Sequence, residues 1–311
     1  MITQSFAVVA PLFLLIALGA LVQKLGFVSE KADAGLSEFV FVLAIPALLF
    51  RTVATAELPD INPGFYWASY FISLALCWGI ASFAAKRAGR DSREAAIIGF
   101  AAAQSNTVLI GIPIILASFG DEGKVPVVLL IGIHLPITMT VVTVLIARGE
   151  AEKGAMGNLL RALITHPILI GIFAGGLWRV TGLPLPMIIA RLMDFLAGAA
   201  APCALVSLGM SMNRISLSGS LKLLTLVCGL KLVVHPVLVW VLATKVFALP
   251  PVWAASALLF AACPTGVNAY LVSERYKSGQ AITSGAITIT TLAAIITMTI
   301  ALAVAFAITG G

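Results

Sequence analysis

The stretch Ala103-Gln104-Ser105-Asn106-Thr107-Val108-Leu109-Ile110-Gly111-Ile112-Pro113 sets four polar side chains and two helix breakers, Gly111 and Pro113, inside an otherwise apolar run. A bilayer tolerates the backbone groups freed by such a break only where the opening faces protein or a water-filled cavity. The stretch therefore marks a candidate binding site within a membrane span. Half a chain later, Cys263-Pro264-Thr265-Gly266-Val267-Asn268-Ala269 interrupts a second apolar segment, with Pro264 and Gly266 as its breakers. Paired interruptions at matching places in two halves are expected of a transporter built from repeats.

The surrounding chain fits that expectation. Its 311 residues are 60% hydrophobic and 10% charged, with a mean hydropathy of +1.09, outside the range of ordinary globular domains. An all-α integral membrane protein is implied. A span needs ~20 apolar residues, and ten charge-poor runs follow one another at about 6–23, 36–54, 63–85, 94–119, 125–147, 160–180, 187–212, 217–247, 251–273 and 280–308. The first run has no Lys or Arg before it, so it is expected to stay as a span and not be removed as a signal peptide. Cys77, Cys203, Cys228 and Cys263 lie within runs and form no Cys-x-x-Cys pattern, so no metal site and no disulfide framework is expected.

Basic residues orient the spans by the positive-inside rule. The odd-numbered connections carry Lys24, Lys31, Lys86, Arg87, Arg90, Arg93, Arg148, Lys153, Arg161, Arg214, Lys222, Arg275 and Lys277; the even-numbered ones carry Arg51, Lys124, Arg179, Arg191 and Lys245. Thirteen against five places both termini outside the cytoplasm of a cell inner membrane. The net charge of +6 then needs no nucleic-acid partner to explain it.

At an offset of 156 residues Pro11 falls on Pro167, Gly19 on Gly175, Gly26 on Gly182, Glu38 on Asp194, Phe39 on Phe195 and Pro46 on Pro202. Without a gap, the same offset lays Gly111-Ile112-Pro113 on Val267-Asn268-Ala269. Pro, Gly and acidic coincidences at one offset are harder to obtain by drift than Leu and Ala matches, so two repeats are expected, 1–155 and 156–311. Each holds five spans, an odd number, so the second is inverted relative to the first, and segments four and nine face each other. Pro46 and Pro202 are expected to bend segments two and seven, and Glu38 and Asp194 to complement helix N-termini.

At the crossing, Pro113 suits the first turn of a half-helix and Asn268 suits an N-cap. Two N-termini aimed at one midplane cavity favour an anion. Gln104, Ser105, Asn106, Thr107, Thr265 and Asn268 offer donors to a carboxylate or oxygens to sodium; the alternative is that they only restore hydrogen bonds released by the break. Lys231 is the one charge deep in a span, a functional candidate by default, with a held or snorkelling ammonium as the alternative. His235-Pro236, His134-Leu135-Pro136 and His166-Pro167 read as kinks with packed imidazoles. Ser207, beyond Pro202, is a candidate site-lining hydroxyl.

At Asn106-Thr107 followed by Gly111-Ile112-Pro113 and Gly120-Asp121, and at Pro264-Thr265-Gly266-Val267-Asn268 running into Glu274-Arg275-Tyr276, the chain resembles the auxin efflux carrier family. That family includes bacterial malonate-type carriers and plant auxin exporters. The likeness runs over essentially the whole length and implies ten helices in a five-plus-five inverted repeat with crossed, broken helices four and nine. The same architecture occurs in bile-acid sodium symporters and sodium/proton antiporters. The short connection at 148–161, and Ala269 where plant members often have proline, point to a compact bacterial carrier.

The reading is therefore a secondary transporter of a small organic anion, not an enzyme. No Walker-type, His-Glu-x-x-His or Gly-x-Ser-x-Gly motif is present. No cofactor is expected beyond a coupling ion, sodium or proton. The partners are the anion and membrane lipid, with a homodimer left open. A sodium/proton antiporter of similar fold and a non-transporting membrane sensor are the alternatives.

Overall fold

A computed structural model describes residues 1–55, 62–147, 155–212 and 220–310. Arg148, Lys153 and Arg214, which contribute to the charge asymmetry, lie outside the described residues. The elements are α1 (Ile2–Lys24), α2 (Lys31–Thr55), α3 (Gly64–Arg87), α4 (Ser92–Ala103), α5 (Ile112–Phe119), α6 (Lys124–Ala147), α7 (Ala155–Ile164), α8 (Pro167–Val180), α9 (Met187–Met212), α10 (Leu221–Val246), α11 (Pro251–Ala262), α12 (Val267–Arg275) and α13 (Gln280–Thr309). Among the described residues there is no strand, only one isolated antiparallel bridge between Ser105 and Thr265.

The chain is an integral membrane protein, with seven described helices long and apolar enough to cross a bilayer, or eight if α7 and α8 count as one bent span. Ten spans were expected, the fourth and ninth of them broken, and the difference in number has local causes. Helices α4 and α11 have 12 residues each, short of the ~20 a span needs. Helix α5 runs through the Gly120–Gly123 turn into α6 as one apolar stretch, Thr107–Ile146. The run at 160–180 bends by 57° between Ile164 and Pro167, because the residue before a proline is pushed out of the helical region; His166 has φ −71 and ψ 120.

Prolines shape the helices in a repeated way. Pro46, Pro113 and Pro236 each lie two residues beyond a widened π turn, at Val40–Ala44, Thr107–Gly111 and Leu230–Val234. A proline cannot bond the carbonyl four residues back and its ring crowds it. That carbonyl belongs to Val42, Leu109 and Leu232 respectively, inside the widened turn in each case, so the extra residue relieves the conflict. Pro202 lies within continuous α9.

Small residues set the packing where no hydrophobic force operates between helices in lipid. α1 packs along α9, and the second half of α2 packs along α8. Gly19 lies against the backbone of Val206, and Gly175 lies 2.7 Å, from an ideal Cβ position, to the carbonyl of Phe50. The two contacts are related by one offset, since 175 − 19 and 206 − 50 both equal 156. Gly26 and Gly182, at the same offset, both turn the chain with positive φ, +77° and +66°.

The centre belongs to the two interrupted segments. Every residue of α4 from Ala95 to Ala103, and of α11 from Trp253 to Ala262, is buried. A helix buried on all faces is wrapped by protein, and alanines let α3, α6, α10 and α13 approach. Phe173, Leu177 and Phe195 on α8 and α9 are exposed apolar side chains, as lipid-facing positions require. Glu38 and Asp194 do not sit at helix starts: both lie well inside α2 and α9, and Asp194 instead pairs with Arg51 at 2.9 Å.

Candidate functional site

The two interruptions cross in contact. After α4 ends, the backbone is extended through Gln104 (φ −70, ψ 115). The N–H of Asn106 donates to the Pro264 carbonyl at 2.8 Å, and the N–H of Gly266 donates to the Gln104 carbonyl at 2.9 Å. Groups freed by each break thus satisfy the other, as buried backbone must. These bonds exchange under an offset of 160 (266 − 106 and 264 − 104), not 156. The gapless alignment of Gly111-Ile112-Pro113 on Val267-Asn268-Ala269 is therefore not the spatial pairing. The first half uses 13 residues from Thr107 to Phe119, as a π turn and α5, where the second uses nine in α12.

That slip moves the caps. Asn106, not a residue beside Pro113, caps the first re-entering helix: its Oδ1 accepts from the Leu109 N–H at 3.3 Å. Pro113 sits after the π turn, a turn further in. In the second half Gly266 is the N-cap and makes no side-chain bond, while Asn268 occupies the second helical position. Gly266 is required by proximity: a Cβ there would stand 2.9 Å from the Ser105 carbonyl oxygen.

Between the breaks lies a small cavity of about 50 Å³. Ser105, Asn106, Thr107, Gly266 and Asn268 line it from the crossing strands, and His134 and His166 from α6 and the start of α8. Asn106 is 5% exposed, and its Nδ2 has no partner. Nearer the ends of α1, α5, α11 and α13 is a much larger cavity of about 1540 Å³, with Arg51, Asp121 and Lys124 at its wall.

Other candidates stand behind the cavity. Thr265 donates through Oγ1 to the Ala101 carbonyl at 3.1 Å and donates its backbone N–H to the Thr290 hydroxyl oxygen at 3.0 Å. Gln104 is 2% exposed with its Oε1 unpartnered. Lys231, fully buried, donates to the Ser105 hydroxyl at 2.7 Å and to the Ala261 carbonyl at 2.7 Å, and its Nζ lies 3.1 Å from His235 Nδ1. Ser207 is elsewhere: it donates to the buried carboxylate of Asp33 at 3.1 Å and lies 2.6 Å from the Ser37 hydroxyl.

Three residues at or beside the crossing carried little sequence signal. His134 and His166 were legible only as His followed closely by Pro, a pattern equally suited to a kink. Tyr70, fully buried, bonds His134 Nε2 at 3.2 Å and lies edge-on to His235; nothing in its apolar neighbourhood marked it.

A family of proteins described as "Membrane transport protein" matches residues 4–302. The chain belongs to this family, the auxin efflux carriers. Over 299 residues it is 30% identical to a protein of Rhizobium meliloti (strain 1021) named "Putative malonate transporter", covering 94% of this chain and 92% of that one. It is 28% identical over 235 residues to an "Uncharacterized transporter" of Methanothermobacter thermautotrophicus, covering 75% and 76% respectively. This auxin efflux carrier family member is a multi-pass membrane transporter and not an enzyme.

Proposed function

We propose that the protein is a secondary transporter of a small organic anion, a carboxylate such as malonate or a related acid, working by alternating access in the cell inner membrane. The carrying observation is the crossing itself: two interrupted helices exchange backbone hydrogen bonds beside a cavity into which two re-entering helices begin. Helix starts present N–H groups and partial positive charge to an anion. Asn106 brings an unpartnered buried amide, and Asn268 lines the facing wall. Ser105 and Thr107 add hydroxyls. Gln104 and Thr265 hold the crossing strands, and Gly111, Pro113, Pro264 and Gly266 keep them out of helix.

Two related halves of five spans are what the offset contacts of Gly19 and Gly175 support, and the excess of basic residues in the odd-numbered connections supports termini outside. The cavity of about 50 Å³ has room for a few waters. Substrate admission then requires the crossing to separate from the flanking spans, which is what alternating access supplies. The relative named for malonate supports a carboxylate substrate. For the antiporter reading a carboxylate at the crossing would be needed, and no Asp or Glu lines this cavity among the described residues.

The test is counterflow in proteoliposomes against a panel of labelled carboxylates, with Asn106→Ala and Asn268→Ala beside the parent. Loss of a hydrogen bond to a charged group costs about 1.5–3 kcal/mol, roughly ten- to a hundredfold in affinity. Parent-like affinity in both folded variants places binding elsewhere.

A further inference from the structure

The two sides of the crossing differ by one inserted group. Under the offset of 160, Ser105 corresponds to Thr265 and Ala261 to Ala101. On one side the hydroxyl of Thr265 donates directly to the Ala101 carbonyl. On the other, the Lys231 ammonium stands between the corresponding pair, donating to both Ser105 Oγ and the Ala261 carbonyl. The direct bond shows that a helix end at this crossing closes without a cation, so the inserted charge is not required by the architecture.

Lys231 has no acidic counter-ion among the described residues. The titratable groups packed around it are Tyr70 and Cys77 of α3, His134 of α6, Cys263 after α11 and His235 one turn along α10. The thiols of Cys77 and Cys263 donate to carbonyls. What holds a charge on Lys231 is the Ala261 carbonyl in the last turn of α11, the negative pole of that helix, together with a hydroxyl and an imidazole.

These three partners satisfy the amine in both protonation states. Charged, its three N–H groups serve Ser105 Oγ, the Ala261 oxygen and His235 Nδ1. Neutral, its two N–H groups serve Ala261 and His235, while its lone pair accepts the Ser105 O–H. The heavy atoms stay where they are. Ser105 also lines the cavity.

Resting on the carrier reading above, we propose that Lys231 is the proton-carrying group of this transporter and exchanges one proton with the crossing cavity through the Ser105 hydroxyl. In the releasing step an Nζ–H bond breaks as that proton joins Ser105 Oγ. The proton Oγ already carried passes to a substrate carboxylate or water in the cavity, leaving a neutral amine and an unchanged hydroxyl. Loading is the reverse. Transport is thereby coupled to protons and not to sodium, for which the ammonium leaves no open position at the end of α11.

The experiment uses purified protein in proteoliposomes with labelled malonate and a panel of other carboxylates. It measures counterflow, and separately uptake driven by an inside-alkaline pH gradient or by an inward sodium gradient, at clamped membrane potential. The parent accumulates anion transiently above equilibrium with the pH gradient and not with sodium. Lys231→Gln, fixed neutral, and Lys231→Arg, fixed charged, both lose the accumulation while counterflow remains measurable. If either fails to fold, Ser105→Ala carries the test: its gradient-driven uptake falls more than its counterflow. Counterflow in the parent without a pH-driven rise, accumulation driven by sodium, or pH-driven accumulation persisting in folded Lys231→Gln overturns proton coupling through Lys231 and leaves the carrier standing. Absence of counterflow with every carboxylate overturns the carrier reading and this one with it.

Discussion

The first interruption, at Gln104–Gly111, and the second, at Cys263–Gly266, do the same topological work with different chemistry. The first re-enters helix through an asparagine cap and a π turn; the second re-enters on a bare glycine. At the end of α4 a hydroxyl meets a carbonyl directly, whereas at the end of α11 a lysine ammonium intervenes. A shared backbone crossing can therefore be kept by two half-molecules while the side chains diverge. The part that must be shared is what buried backbone demands, reciprocal N–H to carbonyl bonds; the rest is open to specialisation, and the Lys231 ammonium stands on one side of the crossing only.

The correspondence between halves breaks most visibly by labelling, where the outcome is all or none. If the halves are inverted, equivalent turns lie on opposite faces. In a cysteine-free background, cysteine at Arg90, after α3, labels only from the cytoplasm, and at Ala248, after α10, only from outside. Asp121 and Lys277, 156 apart and 91% and 77% exposed, form a second pair with the opposite assignment, outside for Asp121 and cytoplasmic for Lys277. Labelling of both members of either pair from one face refutes the inversion.

The next largest effect belongs to the glycines. Gly175 admits the Phe50 carbonyl at a distance where a Cβ leaves no room, and Gly19 does the same for Val206. Enlarging such contacts costs about 1–3 kcal/mol or more where backbone must move, and here both partners are backbone. Gly175→Leu and Gly19→Leu are expected to lower thermal stability by similar amounts, each far more than Gly176→Leu, which meets nothing within 4 Å. Scanning the three variants in detergent by fluorescence-detected unfolding checks this. A large fall for one glycine and none for the other would limit the correspondence to sequence.

What the sequence disclosed and what it withheld divide along the same physical line. Gln104 to Asn106, Pro264 and Gly266 were legible because polar residues and breakers in a lipid-soluble run have few uses. Gly19 and Gly175 were legible because a close helix contact tolerates little else. The register at the crossing was not: 64 positions separate Pro202 from Gly266 but only 60 separate Pro46 from Asn106, and four extra residues leave the pattern of apolar side chains in a buried or lipid-facing helix unchanged, so an offset of 156 read along the chain became 160 in space. Asn268 looked like a cap because the slip was invisible, and Asp194 looked like a helix-start charge because its partner Arg51 is distant in sequence. The bonds of Lys231 were beyond reading, since nothing local says that a lysine in α10 lies between Ser105 and Ala261.

The smallest expected effect compares the turns that follow the two re-entering helices. Asp121 bonds Lys124 at 2.6 Å after α5, and Glu274 meets Gln280 and, at 3.6 Å, Lys277 after α12. Both carboxyls are held below the usual carboxylate range, Asp121 by the hydrogen bond and charge of Lys124, Glu274 first by the Gln280 amide and then by Lys277. A carboxyl with a depressed folded pKa stabilises above its unfolded value and loses that contribution as pH falls through the folded one. Both turns are open to solvent, where ion pairs are weak and salt screens them. Asp121→Asn, which removes only an exposed ion pair, should leave the melting temperature at pH 7 within error of the parent. Glu274→Gln, which also disturbs the tie across to α13, should lower it slightly, and the difference should shrink on acidification through and below the ordinary carboxylate range, as the parent carboxyl protonates. A larger loss from Asp121→Asn than from Glu274→Gln, measured by melting curves at both pH values and at low and high salt, would reverse the order of the two turns and show that the first depends on its charge pair more than the geometry requires.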